Sequence, residues 1–326
     1  MSRRPGIDEV ARLAGVSKST VSRVLNGAPH VSARARDAVR RAVIQLDYTP
    51  NQAARSLAGH RANAIALVVS EPSGRVLADP FFAGVMRGVH AELAGHRTQL
   101  VLMMSQPGDV GSYLTSGHVD GALVVSLHGH DPLLQLLHDN GLPVVAGGRP
   151  LAGGPVPYVD SDNFTGAVEA TQHLITLGRT RIGTIAGPAD MAVGLDRLSG
   201  WRRAMSGRRT DLVAYGDFTP EGGAAAMTSL LTREPSLDAV FVAADIMALG
   251  ALQVLHASGK RVPDDVAVVG FDDSVPAVPP LTTVKQDVER FGRMLTWRLL
   301  AEIEGEEGLP PSVLLPTSLV VRSSAC

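Results

Sequence analysis

Between Ser17 and Asn26 the sequence carries Lys18, Ser19, Thr20, Ser22 and Arg23 among Val21, Val24 and Leu25. At helical spacing the three aliphatic side chains share one face and the hydroxyl, ammonium and guanidinium groups occupy the others. Hydroxyls both donate and accept, and Lys and Arg donate with charge, which is what reading base edges and phosphates in a major groove requires. Two other spacings invite chemistry. His128-Gly129-His130-Asp131 has the His-x-His spacing of a metal site, yet nothing downstream is paired with it to complete a catalytic set. Asp272-Asp273 offers two carboxyls, but adjacent residues at a strand end point to opposite sides, so one ligand contact and one structural partner are expected. The chain carries no P-loop, no dinucleotide glycine pattern after its first strand, no His-Glu-x-x-His and no nucleophile elbow. An enzyme is therefore not expected, nor a cofactor or a metal.

The elements that hold the polar helix can be traced outward from it. Ile7, Val10, Ala11, Leu13 and Ala14 recur at helical spacing up to Gly15, whose missing Cβ suits a tight turn. Ser17 then caps the polar helix, and Ser32 caps a third running through Ala35, Val39, Ala42, Val43 and Leu46. Spacing alone allows a helix-turn-helix or a small three-helix bundle with a solvated basic face. Charge adds to the picture. Residues 1–61 carry eleven Arg and Lys against four Asp and Glu, a formal +7, and the remainder carries nineteen against twenty-eight, a formal −9. A basic head on an acidic body attracts phosphate while the body stays off the duplex.

At 326 residues the chain is long for one core, and 45% hydrophobic with 19% charged residues is the composition of a globular protein. The single cysteine, Cys326, leaves no intrachain disulfide, the first twenty residues hold no apolar signal segment, and no apolar run is long enough to span a membrane, so a cytoplasmic protein is expected. From Ala64 onward, strand-like runs such as Ala64–Val69, Gly121–Val125, Arg181–Ala186 and Val266–Val269 alternate with helical stretches such as Phe82–Leu93, Ala167–Leu177 and Ile246–Ala257. Trp201 and Trp297 fall in helical stretches and are expected to pack in the core. Such βα repetition fits one doubly wound sheet, one barrel or two smaller sheets, and periodicity does not choose among them.

Ile7-Asp8-Glu9-Val10-Ala11, Gly15-Val16-Ser17 and Thr20-Val21-Ser22-Arg23-Val24-Leu25-Asn26 resemble the LacI/GalR family of bacterial repressors. Tyr48 to Gly59 resembles that family's linker and hinge helix, and Asp79-Pro80-Phe81-Phe82, Arg197-Leu198-Ser199-Gly200-Trp201, Asp245 to Gly250 and Val268 to Asp273 follow in family order. The resemblance implies an all-α helix-turn-helix head (1–49), a hinge helix and linker (50–61), and an α/β two-lobed periplasmic-binding-protein-like effector domain (62–326). Its N-lobe would comprise about 62–159 and 288–314, its C-lobe about 160–287 and 315–326. It assigns DNA contact to Ser17, Lys18, Ser19, Thr20, Ser22, Arg23, Asn26, Asn51, Ala54 and Leu57, the last as a wedge that kinks the duplex from the minor groove. The segment after Pro50 is far below the ~12–15 residues an isolated helix needs, so it is expected to fold only on DNA.

The resemblance also sets Ser70, Asp79, Phe81, Phe82, Ser126, Arg149, Arg197, Phe218, Asp245 and Asp272 at or beside an interlobe cleft. Forked Asp and Arg groups with apolar faces suit a polyhydroxylated ligand. Gly148 and Ala244 stand where many sugar-responsive relatives have Asp and Asn, which predicts a roomier pocket and a ligand larger than a monosaccharide or a derivative. Met191 and Val193 replace the Arg and Thr of the purine-responsive relative. The expected partners are a pseudo-palindromic double-stranded DNA operator, a sugar-like inducer and a second copy of the chain, because paired hinges need a dimer and no leucine heptads follow Ser318 to Val321 to build a tetramer. A non-sugar effector or a corepressor is the alternative; an exported solute-binding protein would not begin with a basic helical head, and a sugar-modifying enzyme would need a nucleophile or phosphate loop. Because residues at the start of the recognition helix approach base edges most closely, exchanging both Lys18 and Ser19 for Ala is expected to change the operator consensus returned by selection from random DNA. An unchanged consensus would remove those two residues from base recognition.

Overall fold

The computed structural model describes residues 5–25, 30–48, 61–104, 110–129 and 131–326. The chain divides into two compact units at Ala62 and Asn63. In the first, helices α1 (Ile7–Ala14), α2 (Lys18–Leu25) and α3 (Ala33–Gln45) close around Val10, Ala11, Val21, Val39 and Ala42. Gly15 ends α1 in the left-handed region at φ 64°, which lets Val16 N donate back to the Ala11 carbonyl at 3.1 Å. The Ser17 hydroxyl accepts from Thr20 N and the Ser32 hydroxyl from Ala35 N, so both later helices carry the caps their sequences predict.

The second unit holds two sheets. The first is formed by β1 (Ala64–Val69), β2 (Gln99–Met104), β3 (Gly121–Val125), β4 (Val144–Gly147), β5 (Tyr158–Ser161) and β11 (Ser312–Leu315), in the order β11-β5-β4-β3-β1-β2 and all parallel. The second is formed by β6 (Ile182–Ala186), β7 (Val213–Tyr215), β8 (Ala239–Val242), β9 (Ala267–Asp272), β10 (Thr282–Lys285) and β12 (Ser318–Val320), in the order β12-β10-β9-β8-β6-β7. Only the β10–β12 pair is antiparallel. Every residue of β1, β3 and β9 is buried, which is why these strands read as unbroken apolar runs rather than as alternations.

Helices α4 (Ser73–Ala78), α5 (Pro80–Leu93), α6 (Val110–Tyr113, running into one wider turn to His118) and α7 (Pro132–Asp139) connect strands of the first sheet. Helices α8 (Asn163–Thr176), α9 (Ala192–Ala204), α10 (Pro220–Arg233) and α11 (Asp245–Ala257) cover the second, and α12 (Val288–Glu304) returns to the first. The chain therefore crosses between lobes three times, from β5 to α8, from β10 to α12 and from β11 to β12. Of the two tryptophans, Trp201 is fully buried, but Trp297 is 37% exposed on α12, contrary to the packing role expected of it.

Helix pairs on both lobes approach backbone to backbone. A Cβ on Gly88 of α5 would run into the Glu289 carbonyl of α12, one on Gly200 of α9 into the Phe164 carbonyl of α8, and one on Gly250 of α11 into the Pro220 carbonyl of α10. Small residues at such crossings let the helices sit close enough to fix the loops at the strand ends. Gly250→Ala is expected to cost about 2 kcal/mol or more through forced separation, outweighing the gain of ~1 kcal/mol that Ala brings to a helix. Gly74→Ala in α4, which meets open space, is expected to be neutral or stabilising. Thermal denaturation of the two variants checks this, and equal melting points would contradict it.

Candidate functional site

The carboxyl ends of both sheets face one cleft, and the crossovers at its closed end are tied by a ring of hydrogen bonds. At the end of β5, Asp160 accepts from Ser161 N (2.8 Å), Arg149 N (2.9 Å) and Asn163 Nδ2 (2.9 Å). Asn163 Oδ1 accepts from Arg197 Nε at 2.9 Å. Arg197 Nη1 donates to the Ala243 carbonyl and, at 3.2 Å, to Asp272 Oδ1. Gln286 Nε2 donates to the same Asp272 oxygen at 2.6 Å, and Gln286 Oε1 accepts from Ser161 Oγ at 2.8 Å, which closes the ring. Two crossovers contribute directly. The third is tied in where Asp162 N donates to the Leu315 carbonyl and Thr317 Oγ1 to the Asp162 carbonyl.

Arg197 is 3% exposed and lies 3.6 Å over the Phe271 ring, so its charge is desolvated and is compensated by carboxylate, carbonyl and aromatic face together. Burial lowers its pKa against the pull of Asp272 and Asp160. Burial likewise raises Asp79, Asp160, Asp245 and Asp272, Asp245 furthest, to about 8, with the Asp272 charge adding to the effect. Carboxyls so shifted favour the uncharged form, which can donate as well as accept. The cations of the cleft are already engaged: Arg197 with Asp272, Arg149 with Asp196 at 2.7 Å, and Arg75 with Glu71 at 2.7 Å. Phe81, Phe82 and Phe291 form an aromatic wall with centroids 5.4 and 6.1 Å apart, and Leu127, Met191, Val193 and Phe218 supply further apolar surface.

The space between the lobes measures about 770 Å³, counted with the solvent at its mouth. Of the residues expected at the effector site, Asp79, Phe81, Phe82, Ser126, Arg149, Arg197, Phe218 and Asp272 line it. Ser70 and Asp245 do not. The Ser70 hydroxyl donates to Asp131, and Asp245 sits behind the wall, accepting from Thr283 Oγ1 at 2.6 Å and Ser274 N at 3.1 Å. Asp273 turns away from Asp272 to Arg322 at 2.7 Å, as opposite-facing neighbours should. Lining residues that the sequence did not single out include Arg75, Asp160, Asn163, Gln286 and Phe291. Ser126, Phe218 and Asp272 hold positive φ (64°, 59° and 118°), a conformation costing ~1–3 kcal/mol each that clusters at ligand sites and leaves no trace in residue type.

In the head, Ser17, Lys18, Ser19 and Arg23 are exposed, Thr20 and Ser22 half-buried. Lys18 pairs with Asp8, and Ser17 exchanges hydrogen bonds with Ser19 and Thr20. Asn26, Asn51, Ala54 and Leu57 lie outside the described residues. Among the described residues no cluster of three or more His, Cys, Asp or Glu could hold a metal ion, and His128 is used differently. Its Nε2 meets Glu71 at 2.9 Å in its own lobe and its Nδ1 meets Asp190 at 2.9 Å in the other, while Gly129 N donates to the Asp190 carbonyl at 2.6 Å.

The Glu71 hydrogen bond, opposed by burial and helped by Asp190, pushes His128 up to about 9. Glu71, raised by burial, is brought below its ordinary range by His128, Ser126 and Arg75. A raised imidazole pKa means that the folded form favours the proton. Its contribution is complete below the ordinary value of 6.5 and fades as pH rises through about 9. An NMR titration of His128 is expected to show a midpoint near 9. A midpoint at the ordinary imidazole value would contradict the pairing of His128 with Glu71 and Asp190.

Residues 6–51 match the family of bacterial regulatory proteins of lacI type, and residues 171–325 match the periplasmic binding protein-like domain. The chain is 50% identical to the HTH-type transcriptional regulator CelR of Thermobifida fusca, over 99% of this chain and 98% of that one. It superposes on a complex of the transcriptional regulator CelR with cellobiose with a TM-score of 0.79 and 48% identity, covering 98% of this chain and all of the other. It superposes on the lac repressor dimer bound to operator and the anti-inducer ONPF with a TM-score of 0.86 and 29% identity, covering 99% of each. Helix-turn-helix head, twin parallel sheets and full-length similarity agree: the chain belongs to the lacI family of bacterial regulatory proteins and is a DNA-binding transcriptional regulator.

Proposed function

We propose that this regulator is a cytoplasmic homodimeric repressor, without catalytic activity of its own, which leaves a pseudo-palindromic operator when a neutral sugar occupies the cleft between its lobes. The observation that carries the sugar is the pairing of charge. Arg75, Arg149 and Arg197 are each matched by a protein carboxylate, and the further buried carboxyls Asp79 and Asp160 add no positive charge for an anion to meet. Hydroxyl groups, which donate to carboxylates and accept from arginine at no cost in charge, satisfy such a wall where a phosphate or carboxylate ligand would not. Apolar faces of pyranose rings suit Phe81, Phe82, Phe218 and Phe291. The CelR relative holds cellobiose, and at this identity a disaccharide of that kind is the first ligand to test.

Closure around the ligand would act through the ring at the crossovers, since a ligand shifts a two-state equilibrium only by binding one state better. Lys18, Ser19 and Arg23, exposed on α2, would read the operator, and Leu57 would wedge its centre. Adding cellobiose to the chain bound to a selected operator is expected to release the DNA in a fluorescence anisotropy titration. Arg197→Ala and Asp272→Ala should each weaken cellobiose binding by a factor of about 100 or more, because each strands a buried charged partner. Tighter operator binding on adding sugar, or full affinity in both variants, would overturn the proposal.

A further inference from the structure

Two polar stations of the cleft belong to different strand ends. The ring around Arg197 and Asp160 lies at β5 and β9, whereas Arg75 follows β1 and Phe218 follows β7. Sheet order puts three strand spacings between β5 and β1 and three between β9 and β7, which is roughly 14 Å. A ligand reaching from one set of strand ends to the other is longer than one pyranose ring. The outer station is built rather than incidental. Glu71, 4% exposed, fixes Arg75 Nη1, while the guanidinium carbon sits 5.5 Å from the Phe218 ring of the opposite lobe. Arg75 Nε is buried with no partner among the described residues, a charged donor in the cleft wall that the protein itself does not satisfy. Phe218 itself stands in the left-handed region at φ 59°.

Resting on the sugar assignment above, we propose that Arg75 and Phe218 form a second carbohydrate subsite, in which the guanidinium donates to hydroxyls of the distal ring of a disaccharide and the phenyl face packs against that ring, so that Arg75 sets the preference for disaccharide over monosaccharide. The fork of an arginine, already anchored at one end, loses little freedom in taking a hydroxyl at the other. Glu71 acts through Arg75 and is a positioning residue.

Calorimetric titration of the full chain with cellobiose and with glucose tests this. The unaltered protein is expected to prefer cellobiose, and Arg75→Met to weaken cellobiose about tenfold or more with much less effect on glucose, so that the preference collapses. Asp190→Ala, which removes the exposed interlobe partner of His128 from outside the cleft lining and does not touch Glu71 or Arg75, should weaken both sugars in step and keep their ratio. Arg75→Lys, retaining a cation without the fork, should fall between the unaltered chain and Arg75→Met, and it serves as well should the Met variant fold poorly. If replacing Arg75 weakens both sugars in step, or neither, the subsite is overturned while the sugar assignment stands. If the unaltered chain binds neither sugar, the assignment itself falls and takes the subsite with it.

Discussion

A single buried guanidinium, that of Arg197, organises the effector-binding body. Desolvating it without partners would cost several kcal/mol, so the fold surrounds it with Asn163, Asp272, the Ala243 carbonyl and the face of Phe271. Those partners belong to different segments of chain and are linked onward through Gln286, Ser161 and Asp160. The ring thereby joins two crossovers to both strand ends, and any ligand that bonds to Arg197 or Asp272 engages the residues about which the lobes would hinge. Binding and conformational change draw on the same hydrogen bonds.

The lobes also meet through weaker, more exposed contacts. Arg149–Asp196 and His128–Asp190 are partly exposed pairs, each worth little against water and side-chain entropy. Strong interlobe contacts would leave a ligand nothing to shift, whereas pairs this modest would keep a closed form reachable without making it permanent. The basic head is electrostatically suited to DNA with or without this device. In the proposed dimer the body would change whether two heads are held in register on a two-fold operator, which is how the regulator would convert a cleft event into release.

Much of this fold was legible because local physics announced it. Gly15, Ser17 and Ser32 punctuate the head where turns and caps require, and apolar runs mark β1, β3 and β9 because both faces of those strands are covered. The short strands β5, β10 and β11 were not singled out in the sequence. Each has four residues, and β5 and β10 carry Asp160, Thr282 and Thr283, whose side chains serve hydrogen bonds instead of an apolar pattern. Asn163 and Gln286 were missed because their partners are 34 and 125 residues away, a separation no spacing rule sees. Family order brought Asp245 forward, but in the structure its carboxyl serves Thr283 and Ser274 behind the wall. Arg75 went unremarked because it falls in a six-residue helix between prolines, a stretch that reads as loop.

The central claim is that the cleft accepts a neutral hydroxylated ligand because its arginines are already paired within the protein. Competing cellobiose directly against a phosphorylated cellobiose in one equilibrium binding experiment tests it. The account predicts that the neutral sugar binds and that the phosphate ester is disfavoured by about tenfold or more, as burying an unmatched anion beside carboxylates requires. Tighter binding of the phosphate ester would contradict it, because at least one of Arg75, Arg149 and Arg197 would then be available for an anion.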